Sequence, residues 1–162
     1  MKNIGLIGCG NIAETYFRAQ EYFNNINFVA CADINLDAAK KTAEQYNIAA
    51  LSVDEIFNDK NVDIILNLTI PQAHYEISKR ALEANKHVYC EKPMSVKFDD
   101  AKELLNLAKK NSLYIGNAPD TFLGGGGQLS RNVIDNNDIG QVLTGNFIFA
   151  FPGVQDFHPS PE

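Results

Sequence analysis

A glycine-rich turn directly after an apolar strand pattern is the feature that most restricts the fold of this chain. Residues 2–7 predict a short strand, and Gly8, Gly10 and Ala13 follow in the spacing Gly-x-Gly-x-x-Ala. In such a turn the first glycine permits a tight bend, the second lets the backbone approach a pyrophosphate, and the small third residue lets helix and strand pack closely. The next helix offers free N–H groups to the phosphates. The sequence therefore predicts a dinucleotide-binding turn.

An acidic residue at the end of the next strand pattern supports this interpretation. Residues 28–32 predict a second strand, and Asp33 follows it. Its distance from Ala13 matches the roughly 20 residues at which a carboxylate accepts hydrogen bonds from the ribose of a dinucleotide. Such a carboxylate repels the 2′-phosphate of NADP, so we expect NAD rather than NADP. The alternative is that Asp33 caps the helix predicted to begin beside Asn35.

Strand and helix patterns alternate along most of the chain. Helices are predicted over residues 11–23, 36–46, 53–58, 71–85 and 98–110, and further strands over residues 49–51, 62–68, 87–90 and 113–116. The almost continuous apolar run at residues 62–68 is typical of a central parallel strand that is covered on both faces. The repeated order predicts an α/β fold with a Rossmann-type, doubly wound parallel sheet. We expect this NAD(P)-binding domain to occupy residues 1–120.

The alternation stops after residue 120. Residues 124–127 are four consecutive glycines, and a helix is predicted over residues 128–135. The glycines predict a flexible hinge, with a pocket of backbone N–H groups as the alternative. Residues 121–162 therefore lie outside the alternating strand–helix pattern.

A strand predicted over residues 142–151 is apolar on both faces. Phe147, Phe149 and Phe151 alternate with Ile148 and Ala150. A strand of this kind needs cover on both faces and exposes unpaired edges when it stands alone. We therefore expect this strand to dock onto the surface of its own chain or to associate copies of the chain, and we favour a homo-oligomer through this C-terminal strand region.

Composition and charge restrict the partners. The formal net charge is −6, which disfavours a nucleic-acid or anionic-membrane surface, and the apolar runs are too short to span a membrane. Three cysteines without a CxxC or His/Cys spacing indicate reduced thiols and no metal site. No signal peptide precedes the first strand, so we expect a cytoplasmic protein that acts on a small molecule.

Ligands of open α/β sheets bind beyond the C-terminal ends of the strands. The loops at these ends hold residues 8–12, Asp33, residues 69–74 and residues 91–93. Lys92 is the most suggestive residue, because a lysine beside a bound nicotinamide can hydrogen-bond a substrate hydroxyl and assist its deprotonation. The alternative is an exposed Glu–Lys pair on a surface loop, which contributes little.

Several of these segments together resemble the N-terminal half of the glucose–fructose oxidoreductase / inositol dehydrogenase / MocA (Gfo/Idh/MocA) family. The matching residues are Gly-Cys-Gly-Asn-Ile-Ala at 8–13, Asp33, Asn67-Leu-Thr-Ile-Pro-x-x-His at 67–74, and the family-specific run Ala81–Met94 that contains Glu-Lys-Pro. The resemblance implies a dehydrogenase that moves a hydride between NAD and the CH–OH group of a sugar, polyol or related small molecule. It also implies that residues 121–162 are the beginning of a second, truncated α+β domain for substrate binding or oligomerisation.

The resemblance also implies roles for individual residues. Lys92 would reach the active site as the catalytic residue. The expected cofactor-binding residues are Gly8, Gly10, Asn11, Ile12, Asp33, Thr69, Ile70, Pro71, His74 and Glu91. For His74, a second interpretation is that its side chain only positions the turn.

Two other functions remain open from the sequence. Members of this family are considerably longer than this chain, so the chain is alternatively a non-catalytic NAD-binding or assembly module from a truncated or split gene. A Rossmann-like methyltransferase would use the same turn and acid for S-adenosylmethionine, but the Glu-Lys-Pro segment disfavours it.

Overall fold

The computed structural model describes residues 1–119, 121–150 and 153, and the chain divides into two compact units, Met1–Pro119 and residues 120–162. The strands of the first unit are β1 (Lys2–Ile7), β2 (Ile26–Ala32), β3 (Ala49–Leu51), β4 (Ile64–Asn67), β5 (His87–Cys90) and β6 (Ile115–Asn117). Its helices are α1 (Ala13–Ala19), α2 (Leu36–Tyr46), α3 (Val53–Asn58), α4 (Pro71–Glu83) and α5 (Phe98–Lys110). Within the described part of the chain, no helix combines the length and apolar character needed to cross a membrane.

The six strands form one parallel sheet in the order β3-β2-β1-β4-β5-β6, which confirms the predicted doubly wound fold. Ile7 at the end of β1 pairs with Ala32 of β2 and with Asn67 of β4. Asn67 pairs with Cys90, and Cys90 with Asn117. The strands therefore end together, and the order of the strands reverses between β1 and β4, where sheets of this type bind ligands.

Helices cover the sheet in two layers, each with its own buried cluster. Phe17 of α1 and Ala43 of α2 pack with Leu6 on one side. On the other side, α3, α4 and α5 contribute Ile56, Leu82 and Leu104, which pack around Ile65 of β4. The apolar second half of β1 and the apolar residues of β4 follow from their position between these two layers.

Local signals set several helix ends. The Asn35 side chain accepts hydrogen bonds from the amides of Asp37 and Ala38 and caps α2. Ser52 and Glu55 form a reciprocal capping box at the start of α3. The predicted bounds 36–46, 53–58 and 98–110 are confirmed to the residue. The predicted helix 11–23 is too long, because residues 20–22 tighten into a 3-10 turn after α1.

The second unit contains a 3-10 turn at Thr121–Leu123 and helix α6 (Gly125–Asp135). The hinge expectation for the glycine run is wrong, because three of the four glycines form the first turn of α6, and the Gln128 amide donates to the Gly124 carbonyl. At Gly127 an added Cβ would lie 2.9 Å from the Phe122 carbonyl oxygen, so the close approach there requires glycine.

The strand predicted over residues 142–151 is not present over residues 142–150, and Phe151 lies outside the described residues. Phe147 and Phe149 stack with ring centroids 6.4 Å apart, yet both side chains are exposed. The physical reason is that a strand needs a neighbouring strand, and none of the strands in the described residues forms a ladder with this segment.

Candidate functional site

The two glycines of the turn serve different purposes. Gly8 has φ +104°, and an added Cβ would lie 2.7 Å from the carbonyl carbon and oxygen of Leu68. Its amide donates to the Ala32 carbonyl at 2.9 Å, so Gly8 is fixed between the ends of neighbouring strands. Gly10 is exposed, and an added Cβ would have no other atom within 4 Å. The protein's own packing does not require glycine at this position, which leaves open space above the backbone for a ligand.

The start of α1 beside this space lacks side-chain caps. Ile12 is the N-cap residue, and its side chain makes no capping hydrogen bond. Asn11 and Ile12 are exposed. A cleft of about 310 Å³ adjoins the turn, with Gly10, Asn11 and Lys41 of α2 among its lining residues. Two amides here already donate to backbone carbonyls, Ala13 to Gly10 at 3.0 Å and Thr15 to Ile12 at 3.1 Å. Because no side chain of the N-cap residue covers the turn, the cleft stays open to the backbone, which suits an anionic ligand such as a diphosphate.

Asp33 connects the turn with the end of β2. One carboxylate oxygen accepts from the Cys9 amide at 2.7 Å, and the other accepts from the Asn35 amide at 2.8 Å. The helix-capping alternative for Asp33 is therefore wrong, because Asn35 occupies the N-cap position of α2. Each carboxylate oxygen carries two lone pairs, so the half-buried Asp33 keeps capacity to accept further hydrogen bonds from a ligand.

A buried amide shapes the loop after β4. Asn67 is fully buried, and its side-chain N–H groups donate to the His74 carbonyl and to Ser78 Oγ, both at 3.0 Å. Its Oδ1 accepts from the Thr69 amide at 3.2 Å and from Thr69 Oγ1 at 2.7 Å. Thr69 is thereby fixed, while Ile70 and Pro71 remain exposed on the loop. Pro71 begins α4.

His74 bridges two loops of the site. Its ring is 1% exposed, with Nδ1 at 2.5 Å from the Pro93 carbonyl oxygen and Nε2 at 2.8 Å from the Thr69 carbonyl oxygen. Carbonyl oxygens only accept, so a ring nitrogen that hydrogen-bonds to either of them donates its N–H. The ring thus ties the loop after β4 to the loop after β5.

The Glu-Lys-Pro segment continues directly from β5. The Glu91 amide donates to the Asn67 carbonyl at 2.9 Å, and Asn117 Nδ2 donates to the Glu91 carbonyl at 2.9 Å. The Glu91 carboxylate accepts from Tyr16 Oη at 2.8 Å and from the Lys92 amide at 2.9 Å. The following Lys92–Pro93 peptide bond is cis.

Lys92 itself is exposed at this edge. Its ammonium makes no hydrogen bond or ion pair within the part of the chain that the structure describes. Its backbone, in contrast, is held through its own amide and through the neighbouring residues on both sides. A free ammonium on a fixed backbone is available to a ligand that binds at the strand ends.

The structure brings the predicted residues to one edge of the sheet, with two qualifications. His74 is buried behind the loops, so its position favours the positioning role that the sequence left open. The sequence assigned no role to three residues of the network, Tyr16, Asn67 and Asn117, although Asn67 begins one of the segments that match the family. The two asparagines carry a signal, because each is a polar residue at the end of a short strand; Tyr16 carries none, since it lies on the apolar stripe of α1.

Comparison with known proteins identifies the family of the chain and solved structures with the same fold. The profile described as "Oxidoreductase family, NAD-binding Rossmann fold" (Gfo/Idh/MocA) matches residues 2–117. Inositol 2-dehydrogenase of Salmonella typhimurium is 31% identical over 146 residues, which cover 86% of this chain and 43% of that protein. The chain therefore spans less than half the length of this relative.

Two solved structures share the fold. The WlbA dehydrogenase of Chromobacterium violaceum, solved with NADH and UDP-GlcNAcA, has a TM-score of 0.80 at 23% identity, covering 86% of this chain and 41% of that one. A 3-ketoreductase of Actinomadura kijaniata, solved with NADP and TDP-benzene, has a TM-score of 0.77 at 25% identity, covering 84% of this chain and 42% of that one. These two proteins hold different nicotinamide cofactors, so the likeness does not choose between NAD and NADP.

Proposed function

Because the chain belongs to the Gfo/Idh/MocA oxidoreductases, we propose that it is the cofactor-binding part of an NAD-dependent dehydrogenase. Its substrate would be a CH–OH group of a sugar, a polyol such as inositol, or a related small molecule. The observation that carries this proposal is the convergence of the Gly8–Gly10 turn, Asp33 and the Glu-Lys-Pro loop at aligned strand ends. Open space at Gly10 fits the diphosphate of such a cofactor.

Each group along this edge has a distinct part in the proposed cofactor site. The diphosphate would lie over Gly10, Asn11 and Ile12 at the start of α1. The Asp33 carboxylate would accept hydrogen bonds from the adenosine ribose. The nicotinamide end would lie along the loops after β4 and β5, which contribute Thr69, Ile70, Pro71 and Glu91. His74 would serve this site by holding the two loops together rather than by ring contact.

We propose NAD rather than NADP because of the charge at Asp33. A 2′-phosphate would approach a carboxylate already present at the end of β2, and the exposed residues that follow directly, Ile34 and Asn35, supply no cation. Calorimetric titration of the chain with NADH and with NADPH tests this choice. NADH should bind at least about tenfold more tightly, a difference of about 1.4 kcal/mol, since like charges about 4 Å apart near a protein surface repel by up to about 4 kcal/mol.

A variant that removes the charge of Asp33 tests whether this charge causes the preference for NAD over NADP. Asp33→Asn keeps the shape of the side chain and removes its charge, so it should narrow the ratio of the two dissociation constants. Asp37→Asn is the matched control, because Asp37 is an exposed carboxylate in the first turn of α2. Equal binding of the two cofactors by the wild-type chain would refute the choice of NAD.

The chemistry proposed for Lys92 follows from its position. Bound nicotinamide would supply the hydride acceptor. The Lys92 ammonium, exposed on a fixed backbone, would hydrogen-bond the substrate oxygen and take part in moving its proton. The hydrogen bonds of Glu91 and His74 around Lys92 would hold the lysine in that place without contacting the substrate.

A second candidate is an NAD-binding module without catalysis. The residues that converge at the strand ends account for cofactor binding, with Lys92 alone assigned to the reaction, and this favours the module. Incubation with NAD and inositol or related polyols, followed by the absorbance of reduced nicotinamide, separates the two functions. Reduction that is lost in Lys92→Ala supports the dehydrogenase, and NAD binding without reduction supports the module.

We also propose a cytoplasmic homo-oligomer that associates through the C-terminal region. The thiols of Cys9, Cys31 and Cys90 are free, as expected in a reducing compartment. Phe147 and Ile148 are 89% and 87% exposed, and apolar side chains of this size favour burial against another surface. Light scattering should detect association that Phe147→Ser weakens; a monomer at all concentrations would contradict it.

A further inference from the structure

We infer that Tyr16 is a positioning residue for Lys92, acting through Glu91 to tie the helix beside the glycine turn to the loop of the proposed catalytic lysine. The inference rests on the proposed function only where it treats Lys92 as catalytic. Tyr16 lies one helical turn beyond Ala13 at the start of α1. Its phenol O–H donates to Glu91 Oε1 at 2.8 Å, a contact between residues 75 positions apart in the sequence.

The Glu91 carboxylate passes this restraint to Lys92. Its second oxygen, Oε2, accepts from the Lys92 amide at 2.9 Å. Two short hydrogen bonds from different directions, one to each oxygen, fix the plane of the carboxylate, and bonds to an ionised acceptor are stronger than neutral ones. The carboxylate is therefore a bridge between Tyr16 and the Lys92 backbone.

The remaining contacts of the loop show why this bridge matters. The Glu91 main chain is held by Asn67 and Asn117, which belong to the strands on either side. Beyond Lys92, the Pro93 carbonyl is held by His74. At Lys92 itself, the hydrogen bond of the amide to Glu91 Oε2 is the restraint that the described structure supplies. Tyr16 connects that restraint to the helix whose start adjoins Gly10.

This arrangement would place the cofactor's diphosphate and the catalytic lysine in one common frame. The diphosphate site belongs to the turn and α1, whereas Lys92 follows β5, two strands away from β1 in the sheet. A hydrogen-bonded connection between the two fixes their separation more closely than the backbone alone, which matters because misplacement by about 1 Å can cost about a hundredfold in rate.

The test measures the Lys92 amide directly in the full chain. With isotope-labelled lysine, the Lys92 amide signal is assigned by its loss in Lys92→Arg, and its hydrogen-exchange rate is measured at fixed pH. Tyr16→Phe removes only the hydroxyl, and it should shift the signal and speed exchange about tenfold, the effect of losing a hydrogen bond to a charged group. Glu91→Gln should change the same signal.

A matched control removes a different hydroxyl beside the same helix. Tyr46 stacks on Phe17 of α1 with ring centroids 3.9 Å apart, and its hydroxyl is hydrogen-bonded to Gln45 rather than to the loop. Tyr46→Phe should therefore leave the Lys92 signal unchanged. The double variant Tyr16→Phe/Glu91→Gln should exchange no faster than the faster single variant, because both break one chain of contacts.

Two results would overturn the role proposed for Tyr16. A Lys92 amide that is unchanged in Tyr16→Phe but altered in Glu91→Gln would overturn the role of Tyr16. Full additivity in the double variant would do the same, since it would make the two effects independent. If Tyr16→Phe unfolds, comparing the Lys92 amide signal of Glu91→Gln with that of Tyr46→Phe still decides whether the carboxylate holds Lys92. An NADH titration of the wild-type chain keeps the proposals separate, because absent binding would remove the proposed function and leave the amide result standing.

Discussion

The two units of the chain contain similar apolar patterns but use them differently. In Met1–Pro119, helices on both faces of the sheet bury side chains in two clusters. Among the described residues 121–150, no side chain is buried. The comparison shows that an amphipathic pattern specifies a face, whereas a core requires a second element against which that face packs.

Helices α5 and α6 make this contrast specific. Both are amphipathic, and α5 buries Leu104 and Ala108 against the sheet. In α6, Leu129 and Ile134 are 65% and 50% exposed. The helix in the second unit is therefore stabilised by its own hydrogen bonds, and the helix in the first unit by packing.

A pair of leucine variants, one in each unit, should show the largest difference in stability between the two units. Leu104→Ala should lower the free energy of unfolding by about 2–5 kcal/mol, because it leaves a cavity in a fully buried site. Leu129→Ala in α6 should change it by less than about 0.5 kcal/mol. Urea unfolding followed by circular dichroism measures both. Equal losses from the two variants would show that α6 belongs to a packed core.

Paired glycine variants give the next largest effect. Gly8→Ala forces a side chain onto positive φ and into the Leu68 backbone, so it should destabilise the fold by more than about 1 kcal/mol. Gly125 lies in the first turn of α6 with open space around it. Gly125→Ala should therefore stabilise the helix by up to about 1 kcal/mol and raise the helical content. Thermal unfolding and the helical circular dichroism signal check the opposite signs. Stabilisation by Gly8→Ala would contradict the packing of the turn.

A pair of serines tests the smallest difference. Ser52→Ala removes the capping box of α3 and should cost about 1 kcal/mol of unfolding free energy. Ser130 in α6 only donates to the Gly126 carbonyl one turn earlier, so Ser130→Ala should be neutral within about 0.5 kcal/mol. A larger loss of unfolding free energy from Ser130→Ala than from Ser52→Ala would contradict this difference between the two units.

The capping box also predicts a pH dependence for the first serine variant. Hydrogen bonds from the Ser52 backbone and side chain hold the pKa of Glu55 below its usual range. A lowered folded-state pKa gives stability that is present above the unfolded pKa and is lost as pH falls through the folded pKa. The difference in unfolding free energy between wild type and Ser52→Ala should therefore become smaller at acidic pH. Unfolding curves at neutral and acidic pH measure the change.

The extent of prediction from sequence differs between the two units for the same physical reason. In the first unit, helix caps such as Asn35 and Ser52 are local signals, and the apolar alternation agrees with the sheet, so strands and helices were predictable. The loops that carry Asp33 and Lys92 could be placed at one edge because parallel strands end together. In the second unit, the pattern at residues 142–151 predicted a strand, yet no strand in the described residues forms a ladder with residues 142–150.

What the sequence could not reveal within the site are contacts between distant residues. Tyr16 has the spacing of an apolar core residue, and only the fold brings its hydroxyl to Glu91. His74 was open to two interpretations, because burial of its ring between two carbonyl groups is a property of the assembled loops. Local patterns therefore predicted where the site lies, and tertiary contacts determine how it is held.

Calorimetric titration of the full chain and of Gly10→Ala with NADH tests the proposed cofactor site most directly. An added Cβ at Gly10 meets no protein atom within 4 Å, so Gly10→Ala should keep the unfolding midpoint while it obstructs the diphosphate. We expect one NADH bound by the wild-type chain and at least about tenfold weaker binding by Gly10→Ala, the effect of losing close backbone approach to the pyrophosphate. Absence of NADH binding by the wild-type chain, or equal binding by Gly10→Ala, would contradict a dinucleotide site at this turn.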